Sequence, residues 1–111
     1  MDDIERFAEA IRQAGKMLQM AERRLVEAEA EEKRLTAQSK VQALAKGFKT
    51  NAAQDTYADE DTNVFQARLA RGVAKGEVSA AKANLLAAEV EFKTWQSKLA
   101  YERSERRVYG A

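Results

Sequence analysis

The 111-residue sequence contains no cysteine, no proline and no histidine. Without cysteine there is no disulfide and no thiolate metal site. Without histidine the usual acid/base of neutral pH and the commonest metal ligand are both missing. Ser-His-Asp and Cys-His nucleophile arrangements are excluded with them. Glycine is scarce, at 5 residues, and aromatic residues make up 7%. Few turns are therefore signalled. Long apolar runs are lacking too: the longest windows resemble Leu85-Leu86-Ala87-Ala88, whereas a membrane-spanning helix needs about twenty apolar residues. The start, Met1-Asp2-Asp3-Ile4-Glu5, is acidic and has none of the basic residues that open a secretory signal. The expectation is a cytoplasmic protein with no membrane partner.

What is present is alanine and charge. Alanine numbers 22, charged residues make up 33% and apolar residues 45%. Abundant Ala, Glu, Lys, Leu and Arg without proline is the composition of long helices and coiled coils, and the length suits a single domain. Net charge is +1 but uneven. Residues 1–46 balance to zero, residues 47–61 sum to −3, and residues 62–111 sum to +4. An acidic connection thus separates two charged segments, the second of them basic.

The first segment carries apolar residues at steps of three and four: Ile4, Phe7, Ile11, Ala14, Leu18, Ala21, Leu25, Ala28 and Leu35, broken only by Glu32. That spacing is the seam of a coiled-coil helix. Asp2 and Asp3 suit its N-cap, and Lys46-Gly47 reads as its C-terminal signal. The second segment repeats the steps: Val64, Ala67, Arg71, Ala74, Val78, Ala81, Leu85, Ala88, Phe92, Trp95 and Leu99. Between them lies GFKTNAAQDTYADEDTN. There Asn51 and Gln54 suggest a capping box opening a short helix, and Asp61 or Thr62 a cap for the second long one. The reading is an all-α, long antiparallel helical hairpin, coiled-coil-like, with a helix over 2–46, a loop with a short helix over 47–61 and a helix over 62–108. The terminal aromatics would then gather where residues 4–11 meet residues 92–99.

A two-helix seam leaves the opposite faces wet, and small chains bury less of their surface. Met17, Met20, Val26, Val41, Leu44, Phe65, Leu69, Leu86 and Val90 lie off the seams and suggest a second stripe. We expect another copy of the chain to cover it, completing a helical bundle as a homo-oligomer. The alternative is a monomer that folds back at Gly15 or near Gly72. The row Gly72, Gly76, Ala80 reads as a tight helix contact or, alternatively, as a bent position, since each glycine costs about 1 kcal/mol relative to alanine in a helix. Glu32 either specifies register or marks a seam fraying toward the loop, and fraying is the expectation.

Chemistry is sparse. The carboxylates Glu27, Glu29, Glu31, Glu32, Asp59, Glu60 and Asp61 read as solvated faces. Asp55, Asp59 and Asp61 lack the glycine and final glutamate of a calcium loop. Neither G-x-x-x-x-G-K-[ST] nor G-x-G-x-x-G occurs. No catalytic residue, metal or cofactor is expected, and the chain is read as a non-enzyme. The C-terminal stretch interleaves cations with aromatics. Lys93, Lys98, Tyr101, Arg103, Arg106, Arg107 and Tyr109 are its candidate contact residues, for phosphates and stacked bases or for a protein. Trp95 lies on the seam and is read as core.

Phe92-Lys93-Thr94-Trp95-Gln96-Ser97 with Tyr101 to Arg107, the Ala67-Arg68-Leu69-Ala70 run and the Lys46–Asn51 break resemble small helical proteins of bacteriophages, especially those of actinobacterial hosts. That resemblance implies a phage-encoded helical protein. Some such proteins sit among replication and recombination functions, and no site residue is carried over. The leading expectation is a helical interaction protein binding a host or phage protein. The alternatives are a nucleic-acid-binding accessory protein, such as a single-strand recombination mediator, and a virion assembly chaperone.

Overall fold

With no proline and one well-placed glycine, the backbone is interrupted only where the sequence signals it. A computed structural model describes residues 1–108 and holds three helices: α1 (Asp3–Ala45), α2 (Asn51–Glu60) and α3 (Thr62–Val108). The architecture is an all-α helical hairpin. It packs as two units, Met1–Leu18 with Ala80–Ala111 and Gln19–Ser79. Tyr109, one of the candidate contact residues, lies outside the described residues.

The helix ends follow from their capping chemistry. At the start of α1, Asp2 Oδ1 accepts the Glu5 N–H at 2.7 Å. At its end, Gly47 adopts a φ of 98°. This lets the Gly47 N–H donate to the Leu44 carbonyl and the Phe48 N–H reach back to the Ala43 carbonyl, each at 3.0 Å. The pattern is a Schellman cap, which glycine reaches without the strain a Cβ would bring. The cap of α2 departs from expectation by one residue. Thr50, not Asn51, is the N-cap, and its Oγ1 accepts the Ala53 N–H at 3.1 Å. The Gln54 amide instead donates to the Phe48 carbonyl at 3.0 Å. Asp61 closes α2 and opens α3, its Oδ1 accepting the Asn63 N–H at 2.8 Å. The expected bounds thus hold to within a residue for the long helices. The chain does not fold back at Gly15 or Gly72, because both lie inside uninterrupted helices.

In the unit formed by residues 19–79, partners on α3 descend as residues on α1 ascend: Arg24 meets Glu77, and Glu32 meets Arg71. The pairing is antiparallel. Its core is made of small side chains: Ala21, Ala43, Ala58, Val64, Ala67, Ala74 and Val78 are buried, together with Ser39. Small residues let the helix backbones approach closely, and α2 completes this core through Ala58. Around α2, Phe48 packs on Tyr57 with ring centroids 5.7 Å apart. Lys46 Nζ donates to the Tyr57 hydroxyl at 2.8 Å.

In the other unit the core is aromatic. Phe7 lies 5.7 Å from Phe92 and 5.4 Å from Trp95, centroid to centroid, and Phe92 and Trp95 are 6.2 Å apart. These separations suit offset or tilted ring packing. Trp95 is half-buried and packs against both phenylalanines, on the side its seam position implied.

Candidate functional site

The seams of both helices carry one polar interruption each, Glu32 and Arg71, and the fold brings them together. Glu32 Oε2 lies 2.8 Å from Arg71 Nη1. Its other oxygen is 3.7 Å from Arg68 Nε, and Arg68 Nη2 reaches Asp59 at 2.8 Å. The Glu32 side chain is only 15% exposed. The expected fraying is corrected here: α1 continues to Ala45, and the glutamate is held inside the seam by two guanidinium groups. The signal was present, since two seams each broken by one charge of opposite sign invite each other. An open groove beside this cluster is lined by Lys33, Lys40, Arg68 and Arg71 among others. Three of these four cations are already matched by acids, Arg71 by Glu32, Arg68 by Asp59 and Lys40 by Asp55 at 2.8 Å. The groove is therefore not a vacant anion site.

At the α2–α3 junction the Asp61 carboxyl is held below its ordinary value of 3.8. The Ser39 hydroxyl facing it contributes most, then the Asn63 N–H, with burial opposing and the Val64 N–H adding to the lowering. Ser39 Oγ is buried and completes no hydrogen bond of full geometry. It thus acts on the carboxylate as a nearby dipole.

The candidate contact residues of the C-terminal stretch do not form one surface. All of those described are exposed. At about 100° per residue, Arg103, Arg106 and Arg107 share an arc of about 100°, while Tyr101 lies about 120° beyond Arg107, Lys93 about 40° beyond it but more than two turns earlier along the helix, and Lys98 on the far side. Glu105 falls beside Lys98, and Glu102 falls midway between Lys98 and Arg106. Tyr101 is thus turned away from the arginines, and Trp95 is taken up by Phe7 and Phe92.

The off-seam apolar residues are exposed throughout, from Met20 at 48% to Val41 at 68%. They form a clean stripe on only one helix. Within residues 19–79, Phe65, Leu69, Gly72, Val73 and Gly76 share an arc of about 100° on α3, and no charged residue falls in it. Arg68 and Lys75 border it on one side and Glu77 on the other. On α1, Val26, Val41 and Leu44 share a side, but Arg23 lies among them and Lys33 and Arg34 flank them. The glycine row is corrected as well. A methyl group added at Gly72 or Gly76 would meet nothing within 4 Å. These glycines therefore serve no close contact within the chain.

Among the described residues no helix is long and apolar enough to cross a membrane. No group of three or more acidic, His or Cys side chains there is placed to hold a metal ion. No protein-family description, curated protein or solved structure matches the chain. The likeness to small phage proteins accordingly rests on the residues quoted for it.

Proposed function

We propose that this chain is a non-enzymatic helical interaction protein, and that the outer face of α3 in residues 62–79 receives another helix. The observation that carries this reading is the uncharged arc of Phe65, Leu69, Gly72, Val73 and Gly76, with Phe65, Leu69 and Val73 at 53%, 50% and 63% exposure. Isolated exposed apolar residues need no explanation, but aligned ones rimmed by charge mark interaction faces. The two glycines weaken the helix, and no contact in the chain compensates for them. Small residues at the centre of a stripe let a second backbone approach closely.

An uncharged stripe is matched by another uncharged stripe. The outer side of α1 carries arginine and lysine, whereas α3 of a second copy carries none in this arc. A second copy is thus the simplest occupant, and the pair of hairpins makes a bundle. Sedimentation across the micromolar range tests it. The wild type is expected to self-associate, and Leu69→Arg to remain monomeric with an unchanged helical circular dichroism spectrum. A wild type that stays monomeric, or a Leu69→Arg variant that associates as the wild type does, overturns the reading.

A further inference from the structure

The last turns of α3 outrun their partner. Phe7 sits between Phe92 and Trp95, so in an antiparallel pair Asp3, the first residue of α1, falls opposite about residue 98, four residues on. From Ala100 to Val108 every residue is exposed, a projection of about 13 Å at 1.5 Å per residue. The three–four steps of the seam nevertheless continue past Leu99, onto Arg103 and then Arg106. The apolar seam becomes cationic at the point where, among the described residues, no helix covers it.

Arg103, Arg106 and Arg107 are three and four residues apart, so three like charges adjoin one another on one side of a helix. Such neighbours destabilise a helix. Arg106 and Arg107 lie in the last turn, where cations offset the helix dipole, but Arg103 lies before it. None of the three takes part in an ion pair among the described residues. The acids at the start of α1 are otherwise engaged: Asp2 accepts the Glu5 N–H, and Asp3 pairs with Arg6.

We propose that this projecting end binds the phosphodiester backbone of nucleic acid through Arg103, Arg106 and Arg107. Guanidinium groups match phosphate oxygens in a two-pronged geometry. The rise from Arg103 to Arg107 is about 6 Å, roughly the axial span of three successive phosphates on one strand, two intervals of about 3.4 Å. Phe92 and Trp95 lie on the arginines' side of the helix but are packed against Phe7, and the exposed Tyr101 lies off the arginine arc. The contact therefore reads charge without stacking on bases, and it is indifferent to sequence and to strandedness. This differs from the single-strand contact expected from the sequence, because Tyr101 is turned away from the arginines and Phe92 and Trp95 are engaged with Phe7. The binding is independent of the α3 outer face in residues 62–79.

Fluorescence anisotropy of the full chain with a labelled duplex and the corresponding single strand tests it. If three phosphates are neutralised on duplex, affinity falls about 40-fold between 50 and 200 mM salt. Arg103→Gln/Arg106→Gln/Arg107→Gln is expected to lose at least about tenfold in affinity at low salt and most of the salt slope, because each arginine carries about 0.9 of that slope. Lys16→Gln/Lys49→Gln/Lys82→Gln removes the same charge elsewhere and is expected to bind as the wild type does. Arg103, Arg106 and Arg107 are exposed, so the arginine variant keeps its fold, as circular dichroism will show. Three results overturn the proposal: no binding at 50 mM salt, equal losses in the arginine and lysine variants, or poly-glutamate displacing the DNA as readily as unlabelled DNA does.

Discussion

Gly76 shows how a single residue separates helix propensity from packing. In the interior of α3 it costs about 1 kcal/mol relative to alanine, and there is room for a methyl group. Gly76→Ala is therefore expected to stabilise the dissociated chain by about 0.8–1 kcal/mol, read as a rise in melting temperature at high dilution. An unchanged or lowered midpoint would show that the glycine already serves a contact within the chain. Glu32 makes the converse case. Its sequence position was legible as a break in the seam, but its role was not, because the answer lay 39 residues away at Arg71. A double-mutant cycle of Glu32→Gln with Arg71→Gln should return a coupling of about 0.5–1 kcal/mol, toward the upper end for exposed pairs because Glu32 is largely buried. That coupling should shrink in molar salt, and a value of zero would leave the pair a proximity without energetic weight.

At the scale of elements, caps and aromatic layers decide where helices start and how they pair. Asp61 serves two helices at once, and its lowered carboxyl makes its contribution dependent on pH. A carboxyl that is more acidic in the fold favours the folded state fully above its unfolded value near 3.8. That contribution is lost as pH falls through the lower folded value. Asp61→Asn keeps an N-cap side chain but removes this titration. Its melting temperature should fall less steeply than that of the wild type as pH drops from about 5 to about 3, and parallel curves would argue against the role. In the terminal unit, Phe7→Ala opens space against Phe92 and Trp95. It should cost about 2–3 kcal/mol, below the full range for a buried phenylalanine because Phe7 is only half-buried. The single tryptophan reports directly: its emission should shift to longer wavelength in the variant as water reaches the indole. The seams made this layer foreseeable, since Phe7, Phe92 and Trp95 all sit on them. The Thr50 cap was harder to place, because Thr50 and Asn51 are both capping residues and only the path out of Gly47 decides between them.

For the whole molecule the thin core matters most. Val64 and Ser39 are the largest side chains that are almost completely buried, and most of the remaining core is alanine. Burial stabilises by about 25 cal/mol per Å² of apolar surface, so alanine layers contribute little each. Anything that covers the α3 face then raises stability by mass action. The melting temperature of the wild type is expected to rise with protein concentration, and that of Leu69→Arg to stay flat; two flat lines would remove association as a source of stability. The sequence by itself determined the helices, the two seams, the reversal at Gly47 and the absence of histidine and cysteine chemistry, because these depend on local propensity and on spacing along one chain. Tertiary structure decided the rest. It joined Glu32 to Arg71, left Gly72 and Gly76 without a neighbour, and carried the seam steps of α3 past the end of α1 onto arginine. Each of these depends on which residue of one helix lies opposite which residue of another, a register that periodicity within a single helix does not contain.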